Sequence, residues 1–430
     1  MARAVAWLVQ QQKTVTWLVL VVIVVAGAAY AAWLGSGLVY PDEREHVALA
    51  RSLAQTGTFS YDGATPTAYR PPAYPAFLAL LVAAGAPIVA LRMANVVLLA
   101  VAAGLMATVV RRYAPAPAAP LAAAAVGLYP LAFYTAGTLY AQTFATALAA
   151  GCIALVAAAV DAANGRRTWA LLAGAGVVGG VLVLAVSVLV VVPAVLALTL
   201  LFVLPRSRRA AVVALIALTA LVPAGWVVRN AVVMDAPTLA TNSGINLLLG
   251  NSANTGPNTG VNVDIREHLQ ATGWFDPTAP PAPGRMSEVQ ADAYYRDAAL
   301  AWVTANPAEA AALYAAKVVN YFNFRNELYV EQEASAARDA IAAVSYYPLL
   351  LVVGVRLLLA RRRPLRWPEV SAIGLYLGAA LVMAVFFTRL RFRVPMDMVL
   401  CALAASYVGA AVHRAAAGGR GTVRPGAPGP

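Results

Sequence analysis

The chain is dominated by apolar runs of about 20 residues, separated by short clusters of Arg. Each run is long enough to cross the roughly 30 Å hydrocarbon core of a bilayer as a helix. Within a bilayer only helices and closed barrels satisfy the backbone polar groups, and no run alternates as a barrel strand does. Apolar residues make up 61% of the chain and charged residues 12%, against about a half and a quarter in soluble domains. The sequence therefore predicts an all-α polytopic membrane protein.

About ten transmembrane helices are expected. Their predicted ranges are 14–34, 87–110, 116–134, 138–160, two within 168–204 that meet at a turn near Ser187, 210–228, 341–360, 368–388 and 395–413. The first run is longer than the apolar core of a signal peptide, which favours a retained helix.

The charge distribution predicts the orientation of these helices. The net charge is +12, but the basic residues lie in short clusters between apolar runs, which is the positive-inside pattern and not that of a nucleic-acid-binding protein. With the N-terminus in the cytoplasm, 17 of the 31 Lys and Arg residues but only two acids, Asp161 and Glu369, fall on the cytoplasmic side. Both termini are therefore expected in the cytoplasm.

Four regions follow from this topology. They are an N-terminal transmembrane region at 1–229 with a large first external loop at 35–86, an extracytoplasmic region with amphipathic helices at 230–340, C-terminal transmembrane helices at 341–413, and a disordered cytoplasmic tail at 414–430. The two external segments carry most of the polar residues. The sequence therefore points to a functional surface on the extracytoplasmic side.

Three groups of polar residues on that side form a recognisable series. The first group is Pro41-Asp42-Glu43 with Tyr69-Arg70-Pro71-Pro72 and Tyr74-Pro75; the second is Trp226 to Asn230 with Asn242 to Asn251; the third is Thr388 to Pro395. In order and spacing they resemble the first external loop, the W-x-x-R-N and N-x-G-x-N-L segments, and the late R-x-R-x-P motif of the GT-C membrane glycosyltransferases. The resemblance spans about residues 15–410, and it is strongest to the bacterial branch related to protein O-mannosyltransferases and to the lipid A aminoarabinose transferase.

This resemblance implies an enzyme of class EC 2.4 in the cytoplasmic membrane, with its active site outside the cytoplasm. Such an enzyme moves a sugar from a polyprenyl-phosphate donor to an extracytoplasmic lipid, glycan or protein. The alternative is a non-catalytic member of the same fold that binds lipid or assists assembly in envelope biogenesis. A transporter is disfavoured because neither repeated halves nor charges near the bilayer midplane are evident.

The catalytic candidates are Asp42, as the base, and Glu43, which supports it. An acceptor hydroxyl must lose its proton as it attacks, and a carboxylate within hydrogen-bond reach can accept that proton. Repulsion between Asp42, Glu43 and Glu45, together with burial, is expected to raise the pKa of one of them. The alternative is an ordinary solvated acidic loop.

The donor phosphate requires cations near the outer surface of the membrane. The candidates are Arg70, Arg229, Arg389, Arg391 and Arg393. Arginine pairs bidentately with phosphate, which suits this role. The alternatives are anchoring to lipid headgroups for the late group, a loop contact to Asp62 or Glu43 for Arg70, and snorkelling for Arg229.

Substrate contacts are expected from Tyr69, Tyr74, Gln142, Asn242 and Asn246. Interfacial aromatic belts and turn formation are the alternatives for the Tyr and Asn residues.

Gln142 stands where many relatives of this family have an acid, and an amide is neither a base nor a strong metal ligand. Dependence on a divalent metal is therefore in doubt, although such a cofactor is still possible. No metal site is predicted, because Cys152 and Cys401 lie in apolar runs and His46 has no second His or Cys nearby.

Overall fold

The computed structural model describes residues 10–274, 278, 284–325 and 335–418. These residues form seventeen α-helices and no named strand, so the prediction of an all-α polytopic protein is confirmed. Along the first half of the chain the helices are α1 Gln12–Leu34, α2 Pro41–Thr56, α3 Ala73–Ala83, α4 Ile88–Tyr113, α5 Ala118–Gly127, α6 Pro130–Gly137, α7 Ala141–Val160, α8 Gly165–Ala185, α9 Val191–Val203 and α10 Val212–Met234. The remaining helices are α11 Ser243–Gly250, α12 Arg266–Thr272, α13 Glu288–Ala305, α14 Pro307–Asn320, α15 Ala336–Leu358, α16 Trp367–Val385 and α17 Leu390–Gly418.

Every predicted span coincides with a helix, although not every one is a straight crossing. Within the described ranges, eight helices are long and apolar enough to span a membrane by themselves. The span predicted at 116–134 is divided into α5 and α6, which meet at an angle of 49°. The second helix predicted within 168–204 is the short apolar segment Ser187–Val203. The first residues of the tail, 414–418, continue α17 as a helix, and the rest of the predicted disordered tail lies outside the described residues.

Helix α17 is the most buried of the eight long helices, and α15 is the least buried. Helix α17 packs against α4, α5, α7, α15 and α16. Small residues permit this close packing: a Cβ atom on Gly409 would lie 2.6 Å from the Cα atom of Ala118 in α5. Close approach of helices at small residues is the usual way in which transmembrane helices associate.

The segment between α10 and α15 forms a helical layer at one end of the bundle. Helices α11 and α13 pack on each other, and α14 packs on α16. The ammonium group of Lys317 in α14 is buried and donates to the carbonyl oxygens of Gly250 and Phe386, both at 2.8 Å. Burial lowers the pKa of Lys317 to about 8. This lysine therefore ties the layer to the α16–α17 turn.

The basic clusters meet at the other end of the bundle. There the Arg112 guanidinium lies 2.8 Å from the Asp161 carboxylate, and the Arg366 guanidinium donates to the carbonyl oxygen of Tyr113 at 2.8 Å. Arg208 donates to the carbonyl oxygen of Ala162. The two ends therefore differ in charge, and the groups described next all lie at the end that carries the helical layer.

Candidate active site

The site begins at the N-terminus of α2, directly after the first spanning helix. Pro41 occupies the first helical position, where its missing N–H costs nothing, and Asp42 and Glu43 follow in the first turn. The side chain of Glu43 folds back to accept hydrogen bonds from the backbone N–H groups of Val39 and Tyr40, at 3.0 and 3.2 Å. The helix ends at Gly57, whose φ of 72° suits the left-handed cap.

Glu43 is turned into the bundle, away from Asp42. Its carboxylate lies 2.8 Å from the guanidinium of Arg92 in α4, and it also accepts the backbone N–H of Leu139 at 3.0 Å. Glu43 is 1% exposed and Arg92 is 2% exposed. The predicted catalytic role of Glu43 therefore receives no support from this geometry: Glu43 is the partner of a buried cation and fixes the junction of α1, α2, α4 and α7.

The sequence reasoning missed Arg92, although a signal was present. It is a basic residue within the apolar run at 87–110. An ionised residue in such a run is costly and is expected to have a buried partner. Arg92 also donates to the carbonyl oxygens of Gly35 and Gly37, so it joins the end of α1 to α4.

Asp42 lies between two guanidinium groups that come from distant parts of the chain. Its Oδ1 atom is 2.8 Å from Nη2 of Arg70, and its Oδ2 atom is 2.8 Å from Nη1 of Arg391. The Nε atom of Arg70 is 2.6 Å from the carboxylate of Glu45. Arg70 thus contacts Asp42 and Glu45, not the Asp62 or Glu43 that the loop alternative named. Asp62 instead accepts backbone N–H groups within its own turn.

These cations reverse the expected shift in acidity. Burial by itself raises the pKa of Asp42, but the guanidiniums of Arg391 and Arg70 lower that pKa well below its usual range. The expectation of a carboxyl whose pKa is raised by neighbouring acids is therefore wrong for Asp42, because its nearest charges are positive.

His46 lies one helical turn after Asp42, at the same end of α2. Its Nδ1 atom is 3.1 Å from the carbonyl oxygen of Leu139. Burial and then the Arg70 charge lower the pKa of His46 to about 4, so the imidazole is neutral at pH 7. His46 is buried within helix α2.

Arg391 is held against an aromatic surface. Its guanidinium lies 4.6 Å from the ring centre of Tyr140 and 5.1 Å from that of Phe392. Its Nε atom is buried, and it finds no acceptor among the residues that the structure describes. One edge of this guanidinium is therefore bound to Asp42, while another donor has no partner in the described part of the chain.

Arg393 does not join this group. Its guanidinium is 2.9 Å from the carboxylate of Asp397 in the next turn of α17, and it donates to the carbonyl oxygens of Tyr321 and Asn323. The Arg393 side chain is 2% exposed. The predicted phosphate role of Arg393 therefore receives no support from this geometry, because α17 is already helical here and Arg391 and Arg393 point to different sides of it.

The remaining two candidates for the donor phosphate, Arg389 and Arg229, lie in different places. Arg389 precedes α17, packs against Gly260, and contributes to the lowered pKa of Asp42. Arg229 donates to the carbonyl oxygen of Thr67 at 3.0 Å and lies over the Trp226 ring. Arg229 thus braces the first external loop against α10 and does not pair with Asp42 or Arg391. Its predicted phosphate role therefore receives no support from this geometry.

The predicted substrate residues are divided between surface and interior. Tyr69 stacks on Trp274, with 6.0 Å between ring centres, and both line a cavity of about 370 Å³ with Tyr295. Tyr74 is fully buried and hydrogen-bonded to Asn95. The predicted substrate contact of Tyr74 therefore receives no support from this geometry, since its ring lies in the interior.

For the three amide residues, Gln142, Asn242 and Asn246, the substrate contacts remain predictions. Gln142 is buried in the first turn of α7, two residues after Tyr140. Asn242 and Asn246 lie at the start of α11, where the backbone N–H of Asn246 donates to the carbonyl oxygen of Asn242. Each of the two side chains is partly exposed.

Glu288 is a second residue that the sequence reasoning missed. At the N-terminus of α13, its carboxylate accepts from the Thr67 hydroxyl at 2.6 Å, the Ala68 backbone N–H at 2.8 Å, and the Thr241 hydroxyl. It thus holds together the first external loop, the loop before α11, and α13. Only the fold brings these three segments together, so a local sequence pattern could not identify the role.

A metal centre is not formed by the side chains in the described ranges, where no group of three or more His, Cys, Asp or Glu residues could hold an ion. The carboxylates of Asp42 and Glu45 already face guanidiniums. The residues present thus suit an anion between Arg70 and Arg391 better than a cation.

No protein-family model matches the chain, and no curated protein matches it. Among solved structures, it is similar to ArnT from Cupriavidus metallidurans bound to undecaprenyl phosphate, with 16% identity over 90% of this chain and 77% of that one and a TM-score of 0.45. The apo form of the same protein gives a TM-score of 0.41. A further similar structure is the archaeal oligosaccharyltransferase AglB from Archaeoglobus fulgidus in complex with an inhibitory peptide and a dolichol-phosphate, with 13% identity, 95% and 52% coverage, and a TM-score of 0.46.

Proposed function

We propose that this protein is a glycosyltransferase that moves a sugar from a polyprenyl-phosphate donor to an acceptor outside the cytoplasmic membrane. Asp42 is the base, and Arg70 and Arg391 bind the donor phosphate. The charge asymmetry of the sequence supports a cytoplasmic-membrane protein with both termini in the cytoplasm. The acceptor is an extracytoplasmic lipid, glycan or protein.

The observation that carries this proposal is the position of Asp42 between Arg70 and Arg391. The two guanidiniums come from opposite ends of the chain, and each is about one fifth exposed. The buried Nε donor of Arg391 has no acceptor within the described part of the chain. Arginine forms short charge-assisted hydrogen bonds to phosphate. A phosphate group here would satisfy this donor, which Asp42 alone does not.

The same geometry explains how a carboxylate with a lowered pKa can act as a base. Without donor, Asp42 occupies the place of an anion between the two cations. A lipid phosphate that binds Arg70 and Arg391 competes with Asp42 for them and brings a negative charge close to its carboxylate. Both effects raise the pKa of Asp42 towards that of an ordinary carboxyl. The base is thus weak until donor is bound, and it becomes stronger in the complex.

The transfer step is a displacement at the anomeric carbon. The acceptor oxygen forms a bond to that carbon as its proton passes to Asp42, and the bond from that carbon to the phosphate oxygen breaks. The electron pair of the broken bond stays with the polyprenyl phosphate, whose charge Arg70 and Arg391 stabilise. Such stabilisation of developing charge is commonly the largest contribution to a transfer reaction.

The testing experiment compares envelope lipids, glycans and glycoproteins by mass spectrometry in three strains. The strains carry a deletion of the gene, the deletion complemented by the wild-type gene, and the deletion complemented by Asp42→Asn. We expect one hexose- or pentose-sized mass difference to be lost in the deletion strain, restored by wild type, and not restored by Asp42→Asn. Restoration by Asp42→Asn would reject catalysis and leave the non-catalytic lipid-binding or assembly role, which the amide at Gln142 favours.

A further inference from the structure

A large cavity lies at the end of the bundle opposite the candidate active site. It has a volume of about 790 Å³, within the range of small-molecule sites. Its walls come from α4, α7, α9, α15, α16 and α17, and they are mainly apolar. Arg391 of the candidate active site and Arg414 of the cavity lining both lie on α17. They are 23 positions apart, which corresponds to about 35 Å of helix. The cavity is therefore separate from the site around Asp42.

The mouth of this cavity is cationic. Arg363, Arg366 and Arg414 line it, and each is exposed. The acid in the lining, Glu369, does not cancel their charge, because its carboxylate is paired with the guanidinium of Arg356 at 2.8 Å.

The apolar wall faces outward on one side. Helix α15 is the least buried of the long helices, and Leu351 and Val355, which line the cavity, are 67% and 47% exposed. Ser406 and Tyr407 on α17 also line the cavity. A ligand with a hydrocarbon chain could therefore enter from the bilayer alongside α15 while its polar end stays at the cationic mouth.

We propose that this cavity binds an anionic phospholipid of the leaflet that contacts the basic end of the protein. The phosphate lies among Arg363, Arg366 and Arg414, and an acyl chain fills the apolar cavity between α15 and α17. Charge complementarity selects this occupant: Arg-lined pockets between transmembrane helices suit anionic headgroups, and each basic residue contributes attraction to such a lipid. The site does not depend on the proposed transfer reaction.

The test uses native mass spectrometry of the purified full-length protein in a neutral detergent. It is titrated with phosphatidylglycerol, with phosphatidylcholine of the same acyl chains, and with undecaprenyl phosphate. We expect phosphatidylglycerol to bind at least about tenfold more tightly than phosphatidylcholine. The double variant R363Q/R414Q should lose about 10- to 30-fold of the phosphatidylglycerol affinity, as expected for the removal of two cations near a headgroup.

The matched control is R166Q/R206Q, which removes two exposed arginines that do not line the cavity. Its phosphatidylglycerol affinity should stay within about twofold of wild type. Ala411→Trp, at an exposed position of the lining, should weaken binding by obstructing the acyl chain while the cationic mouth is kept. Equal binding of the two phospholipids, equal losses in R363Q/R414Q and R166Q/R206Q, or selective binding of undecaprenyl phosphate that R363Q/R414Q abolishes would each overturn the proposal.

Discussion

Replacement of Asp42 by Asn separates the two functions that we propose for this position. The amide keeps the size of the side chain but cannot accept a proton. General-base assistance contributes about 10²–10⁴-fold, so kcat for sugar transfer should fall by about that factor. At the same time Arg70 and Arg391 lose the anion that lies 2.8 Å from each of them. They become more available to the donor phosphate.

Donor binding should therefore change in the opposite direction from catalysis. A hydrogen bond to a charged group contributes about 1.5–3 kcal/mol, but both partners are about one fifth exposed, which reduces that value. We expect polyprenyl phosphate to bind Asp42→Asn as tightly as wild type or up to about tenfold more tightly. The assay is transfer of labelled sugar by protein in detergent micelles, with donor affinity measured separately by equilibrium binding.

The matched control is Asp62→Asn in the same external loop. Asp62 is exposed and accepts hydrogen bonds from the backbone N–H groups of Ala64 and Thr65. This change should leave both kcat and donor affinity within about threefold of wild type. The reasoning is refuted if Asp42→Asn keeps kcat within tenfold of wild type, or if it weakens donor binding by tenfold or more.

The pH dependence provides a second measurement on the same residue. The Arg391 and Arg70 charges keep the pKa of Asp42 below its usual range in the free protein, so Asp42 is ionised throughout pH 5–8. The profile of kcat/KM, which reports the free protein, should show no fall from Asp42 between pH 7 and 5. Because bound phosphate raises that pKa, the acidic fall in kcat should lie at higher pH than any in kcat/KM. If kcat and kcat/KM fell at the same acidic pH, that result would contradict competition between Asp42 and the phosphate.

Three further outcomes are expected. Arg391→Ala should raise the donor KM by about 10- to 150-fold, since a charge-assisted contact to phosphate contributes about 1.5–3 kcal/mol, and an unchanged donor KM would favour headgroup anchoring instead. Glu43→Gln should lower the free energy of unfolding by about 3–5 kcal/mol, because it leaves the Arg92 guanidinium buried without its anion; a thermal midpoint in detergent equal to that of wild type would contradict this. A reporter fused after Ala305 should be extracytoplasmic and one fused after Arg363 cytoplasmic, so the same location for both would show that the number of spans is wrong.

The sequence by itself determined the architecture. A bilayer leaves a long apolar segment almost no alternative to a helix, because no water is available for unpaired backbone groups. For that reason each predicted span corresponds to a helix, including the short segment Ser187–Val203. The break between α5 and α6 was not predicted as such, although Pro130 follows it directly. Local composition limits where helices form, but their bends depend on what they pack against.

The membership of the site was only partly readable from the sequence. Asp42, Arg70 and Arg391 were all selected, and the structure brings them together. The position of Arg92 within an apolar run was a local signal that it is buried and paired. No local signal identified its partner. Glu288 had no such signal, because the segments that it joins are distant in sequence.

Only the tertiary structure decided which charged partner each of two neighbouring residues meets. Asp42 and Glu43 are adjacent, yet consecutive residues of a helix point about 100° apart. One carboxylate therefore meets Arg70 and Arg391, and the other enters the bundle to meet Arg92. Arg391 and Arg393 are two positions apart in a helix, so they point about 200° apart and meet different partners. A sequence motif records which side chains are close along the chain, whereas charge pairing depends on the direction in which each one leaves its helix and on what another part of the fold has placed there.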